Sequence, residues 1–90
     1  MDIVILDGKD LVSEEKTHHI LKDKLELPDY YGENLNALWD CLTGWVNLPL
    51  KIIWNDFDYS KSQLGDFADE LLSLFNEAKE EIEGFEIETT

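Results

Sequence analysis

The pattern of apolar residues in this 90-residue chain predicts a small α/β fold, a three-stranded parallel β-sheet packed with helices. Three observations carry the prediction. Short β-branched runs stand at Ile3 and at Ile52, an alternating run begins at Phe85, and apolar residues at helical spacing fill both intervals. Strand, helices, strand, helices, strand is the order produced by right-handed crossovers between parallel strands. A chain of this length closes one core and has too little interior for two, so residues 1–90 are expected to form a single domain.

Each element has its own local reason. Ile3-Val4-Ile5-Leu6, stopped by Asp7-Gly8, reads as a strand covered on both faces or nearly so. Ser13 followed by Glu14 and Glu15 marks a helix start, and Thr17, Ile20, Leu21 and Leu25 share one face, so a helix is expected to about Leu25. Pro28 forbids continuation and Gly32 permits a turn. With Asn34 as cap, Leu35, Leu38, Trp39 and Leu42 fall at i, i+3, i+4 and i+7, one buried stripe of a helix ending near Trp45. Leu50 to Trp54 reads as the second strand. Asp56 or Asp58 is expected to cap a short helix that Gly65 ends. Phe67, Leu71, Leu74, Phe75, Ala78 and Ile82 keep helical spacing until Gly84, with Glu70, Ser73, Glu77, Glu80 and Glu81 off that stripe. Phe85, Ile87 and Thr89 then alternate with Glu86 and Glu88 as a strand with one wet face. The crossovers bring the helix from Asn34 and the helix from Asp66 to one side of the sheet, where their outward faces are expected to join.

Twenty-one acidic against seven basic residues give a formal charge of −14, which disfavours nucleic acid and anionic membranes as partners. It suits a basic protein, although a plain solubility surface has the same composition. With no leader-like start and no apolar run near 18 residues, the chain is expected to be cytoplasmic, and the single Cys41 agrees with a reducing compartment.

Enzymatic chemistry finds little support. His18 and His19 are adjacent, so on a helix they diverge by about 100° and are expected to be capping or surface histidines rather than metal ligands. Asp56, Asp58 and Ser60 imitate the start of a calcium loop, but Lys61 replaces the required glycine and Phe67 the bidentate glutamate. Cys41 lacks a basic neighbour and reads as a packed thiol. No phosphate-binding glycine fingerprint occurs. Neither an enzyme nor a cofactor is expected, and the Asp-Ser-Leu attachment site of an acyl carrier is missing.

The informative stretch is Asp29 to Trp45, where Tyr30 and Tyr31 precede the helix, Asn36, Asp40, Thr43 and Gly44 point away from its apolar stripe, and Trp45 ends it. Rigid aromatics beside a fixed charge are typical anchors of protein interfaces.

The run Leu27-Pro-Asp-Tyr-Tyr-Gly-Glu-Asn-Leu-Asn-Ala-Leu-Trp-Asp-Cys-Leu-Thr-Gly-Trp-Val46 closely resembles the barstar family of small acidic intracellular inhibitors of barnase-type, guanyl-preferring ribonucleases. The resemblance extends over essentially the whole chain. It implies a one-to-one complex in which the loop and second helix plug the ribonuclease active site, and a monomer when free. It makes Asp40 the carboxylate that enters the cleft, Tyr30 the ring stacking at the catalytic histidine, and Glu77 an accessory acid on the late helix. Gly32, Asn34, Leu35, Ala37, Trp39, Thr43, Gly44 and Trp45 fall at partner-lining positions. Where the family commonly has an acid one turn before Asp40, this chain has Asn36, which keeps a hydrogen-bonding side chain and loses a charge. A cis bond before Pro49 is also implied. The alternative to ribonuclease inhibition is an acidic interaction module for another basic partner.

Overall fold

A computed structural model describing residues 1–90 orders the elements β1 (Asp2–Asp7), α1 (Glu14–Lys24), α2 (Leu35–Gly44), β2 (Leu50–Asn55), α3 (Phe57–Leu64), α4 (Asp66–Glu81) and β3 (Phe85–Thr89). The strands form one sheet in the order β1-β2-β3, parallel throughout, with Val4 opposite Ile52 and Ile52 opposite Ile87. The predicted fold class holds. Two crossovers of the same hand along this order deliver every helix to one face of the sheet.

That one-sidedness corrects the reading of β1. Leu6 is fully buried against the helices, whereas Ile3 and Ile5 are 58% and 50% exposed on the opposite face. A continuous apolar run suggested cover on both sides, but no element crosses the outer face, so β1 is an edge strand with one face open. The inward residues Leu6, Leu50, Ile52, Trp54, Phe85 and Ile87 meet Leu38 and Leu42 of α2 and Leu71 and Phe75 of α4 in one core cluster.

Side-chain hydrogen bonds join the turn after β1 to α3. Trp54 Nε1–H donates to Ser60 Oγ at 3.0 Å, and the Ser60 hydroxyl donates to the Gly8 carbonyl at 2.7 Å. Gly8 is required by space, since a Cβ there would stand 2.2 Å from the Asn55 carbonyl oxygen and 2.4 Å from that of Asp56. Asp56 occupies the cap position of α3 but does not cap it; its φ of +54° lies in the left-handed region and its side chain makes no capping bond. Asp58 lies in the first turn instead. Gly65, at φ +60°, closes α3 through its N–H to the Lys61 carbonyl at 2.9 Å and opens α4. Helix α4 ends at Glu81, short of the expected stop at Gly84, and Ile82 is already extended. The Leu48–Pro49 peptide bond is cis.

His18 is a second correction. It is buried, not a surface or capping histidine, and its Nδ1 lies 2.6 Å from the Tyr31 hydroxyl while its ring meets the edge of Phe67. The buried face of α1 centres on Thr17, His18 and Leu21, with Ile20 on its flank. Only His19 is at the surface, paired with Glu33 at 2.8 Å.

Candidate functional site: the outer face of the second helix

Helix α2 is fixed at its start by side-chain chemistry and along its length by burial. Asn34 has extended backbone, and its Oδ1 accepts the Ala37 N–H at 2.8 Å while its Nδ2–H donates to the Gly32 carbonyl at 3.2 Å. One asparagine thus ties the Gly32 turn to the first helical turn. Glu33 between them takes φ +52°. Leu38, Cys41 and Leu42 are buried, which holds the helix on the core, and Leu35, Ala37 and Trp39 are half-buried at its flanks. Burial pushes the Cys41 thiol up, and the neighbouring Asp40 charge adds to this, so the cysteine is the packed thiol expected.

The opposite face carries Asn36, Asp40 and Thr43, all exposed, at i, i+4 and i+7. Asp40 has no salt-bridge partner within the chain, and its carboxylate accepts no hydrogen bond. Thr43 is turned back onto the helix, its hydroxyl donating to the Trp39 carbonyl at 2.9 Å. At Gly44 an added Cβ would meet nothing within 4 Å. The glycine leaves the end of this face flat and open.

Tyr30 and Trp45 lie before and after α2 in sequence but touch in space. Their ring centroids are 6.2 Å apart with planes at 85°, and the two residues are 79% and 48% exposed. A ten-residue helix is about 15 Å long, so the preceding loop must run back along α2 to make this contact. Trp45 is held from below by its Nε1–H, which donates to the Glu26 carbonyl at 3.0 Å. Tyr31 faces inward instead, 6% exposed, with its hydroxyl on His18. The adjacent tyrosines therefore divide, one anchoring the loop and the other presented.

On the other flank of α2 a groove of about 530 Å³ runs toward α4. Half-buried Leu35, Trp39 and Leu74 form its floor, and exposed Asn36, Glu70 and Glu77 stand at its rim. The outward faces of the two helices join as expected. Glu77 falls within reach of the α2 surface, which unites the predicted residues in two patches: Tyr30, Asp40, Thr43, Gly44 and Trp45 at the helix end, and Leu35, Asn36, Trp39 and Glu77 in the groove. Gly32, Asn34 and Ala37 are the turn that sets the first helical turn. Sequence reasoning missed Asp69, Glu70, Ser73 and Leu74 as groove residues, although the recurrence of Glu70, Ser73 and Glu77 at i, i+3 and i+7 was the available signal.

The family model described as Barstar (barnase inhibitor) matches residues 1–90. The chain belongs to the barstar family. Among curated proteins it is similar to "Putative ribonuclease inhibitor YrdF" of Bacillus subtilis (strain 168), 53% identical over 79 residues, covering 88% of this chain and 87% of that protein. The exposed Asp40 and the Tyr30–Trp45 pair stand outside the core. They place one carboxylate and two aromatic rings at the surface of a capped helix packed on the core.

Proposed function

We propose that this chain is a non-enzymatic inhibitor of a barnase-type, guanyl-preferring ribonuclease, acting inside the cell in a one-to-one complex and monomeric when free. Family membership and the similarity to a protein named as a ribonuclease inhibitor support the general role. The observation that carries the finer reading is Asp40, an unpaired carboxylate held on a capped helix between an aromatic pair and an apolar groove.

The physics is charge substitution. A ribonuclease aims arginines, lysines and a histidine at the phosphate of its substrate, so a carboxylate presented at the same point satisfies the same groups. Asp40 supplies that anion without the bond to be cleaved. Its helix is ordered before contact, so little conformational entropy is lost on binding. Tyr30, already supported by Trp45, offers a flat ring to stack in the cleft, and Gly44 lets the enzyme's walls approach α2 closely. The field of the −14 chain draws a basic enzyme in and fades with salt. An interface of about 1,600 Å² in total is expected, the usual size for enzyme–inhibitor pairs.

Titration of barnase activity tests this directly. The unaltered protein should abolish cleavage at one equivalent, and Asp40→Ala should weaken the complex by roughly 2–5 kcal/mol, because basic groups of the enzyme stay buried without their anion. Equal inhibition by Asp40→Ala would remove Asp40 from the mechanism. Failure of the unaltered chain to inhibit would favour a different basic partner.

A further inference from the structure

Beside the α2–α4 groove, on the far side of Asn36, lies a second cavity of about 720 Å³. Leu35, Asn36 and Glu70 line both. The second cavity is bounded by Glu14, Glu15 and His18 of α1, by Glu33 in the capping turn and by Phe67 of α4, and no lysine or arginine lines it. Two of its neighbouring acids are already committed within the chain: Glu33 pairs with His19, and Asp69, next to Glu70, pairs with Lys61. Glu14 and Glu15 sit in the first turn of α1, where they complement the positive end of the helix. Glu70 has no such partner and no such place, being exposed in the second turn of α4 with no ion pair. It is the wall between two cavities with apolar floors, facing an uncharged Asn36.

We propose that the docking surface continues past Asn36 into this second cavity, and that Glu70 receives a second basic side chain of the same ribonuclease and thereby helps select which enzyme is bound. The inference rests on the inhibitor reading above. Two features argue for the occupant. The cavity shares Asn36 with the outer face of α2 that carries Asp40, and Leu35 and Glu70 with the groove, so it continues the surface on which a partner of α2 would sit. Four glutamates, Glu14, Glu15, Glu33 and Glu70, line it around Leu35 and Phe67, which suits a long basic side chain that rests its stem on apolar surface and its charge on a carboxylate. With Asn36 neutral, α2 offers no competing anion at this point, so the choice of partner falls to α4. An acid presented from α4 asks for a basic group in a different place from one presented by α2, and such a shift discriminates among enzymes that share an active site.

The test is inhibition of barnase by the full chain and by Glu70→Gln, Glu70→Lys, Glu81→Gln and Asp40→Ala, at low salt and at roughly 0.5 M salt. Glu81→Gln removes the same charge from the end of α4, outside both cavities. The expected result is a dissociation constant about threefold to tenfold higher for Glu70→Gln, higher again for Glu70→Lys, unchanged for Glu81→Gln, and a difference that narrows with salt. Unchanged thermal midpoints should accompany these effects, since Glu70 makes no ion pair within the chain. If Asp40→Ala loses inhibition while both Glu70 variants bind like Glu81→Gln, the extension past Asn36 is overturned and the inhibitor reading stands. If Asp40→Ala also binds normally, that reading falls and the extension with it.

Discussion

Tyr30 is braced by Trp45, edge to face at 6.2 Å, and Trp45 is in turn pinned by its indole N–H to the Glu26 carbonyl. The most exposed ring of the chain therefore stands on a chain of contacts that ends in the loop after α1. A ring so supported loses little freedom when a partner covers it.

From this follows a separation of binding from stability. Tyr30→Ala should weaken inhibition by about 2 kcal/mol, as buried aromatic anchors do, while changing folding stability by less than about 0.5 kcal/mol, as exposed positions do. Inhibition titrations beside urea melts check it. A loss of stability as large as the loss of binding would mean that Tyr30 holds the fold.

Gly44 gives a sharper test, because folding and binding should move in opposite directions. A methyl group there meets no atom of the chain and relieves the entropic cost of a helical glycine, so Gly44→Ala should be stabilised by up to about 0.5–1 kcal/mol. On a face pressed against an enzyme the same methyl should cost about 1–3 kcal/mol of affinity. A more stable and equally potent Gly44→Ala would place Gly44 outside the interface.

The buried His18 sets a pH dependence. Burial lowers its pKa below the ordinary 6.5, and Glu33 and Glu14 offset this only in part. The unfolded chain therefore takes up the proton first as pH falls. This contribution to stability is complete above about pH 6.5 and is lost as pH falls through the lower folded value. Denaturant midpoints should drop across that window, and His18→Gln, which keeps a partner for the Tyr31 hydroxyl, should flatten the drop. Since Tyr31 adjoins Tyr30, acid should also loosen the presented loop. Parallel profiles for both proteins would move the dependence to the carboxylates.

Gly8→Ala tests the β1–α3 junction. The new Cβ would collide with two backbone carbonyl oxygens that cannot swing aside, so a loss of roughly 2–4 kcal/mol or failure to fold is expected, read from thermal melts. Ser60→Ala should cost less, about 1–3 kcal/mol, by leaving the buried Trp54 indole N–H without its acceptor and the Gly8 carbonyl with only the Leu11 N–H.

The order of elements was legible because periodicity records which side of a helix is buried, and Leu35, Leu38 and Leu42 record it plainly. What periodicity omits is whether a second layer exists. Ile3 and Ile5 read as covered because an apolar run reports composition, while cover depends on where the crossovers travel. His18 escaped notice for a related reason: its partner Tyr31 lies in a loop thirteen residues on, and no local spacing announces a contact made through a turn. Asp56 has the composition of a helix cap, but its left-handed backbone carries the side chain away from the orphan N–H groups. Within the site, Asp40 and Tyr30 stood out through the family resemblance, whereas their mutual arrangement, through Trp45 and Glu26, is a property of the folded loop alone.

The bare outer face of the sheet has a practical consequence for handling the protein. β1 and β3 are both edges with unpaired backbone groups, and Ile3 and Ile5 lie beside the half-buried Ile53 on the open side. Such a face invites strand-to-strand stacking between copies. At neutral pH the mutual repulsion of molecules carrying −14 charges holds them apart. Near the isoelectric point of about 4.1 that repulsion vanishes, so acid precipitation rather than clean unfolding should end a downward pH titration.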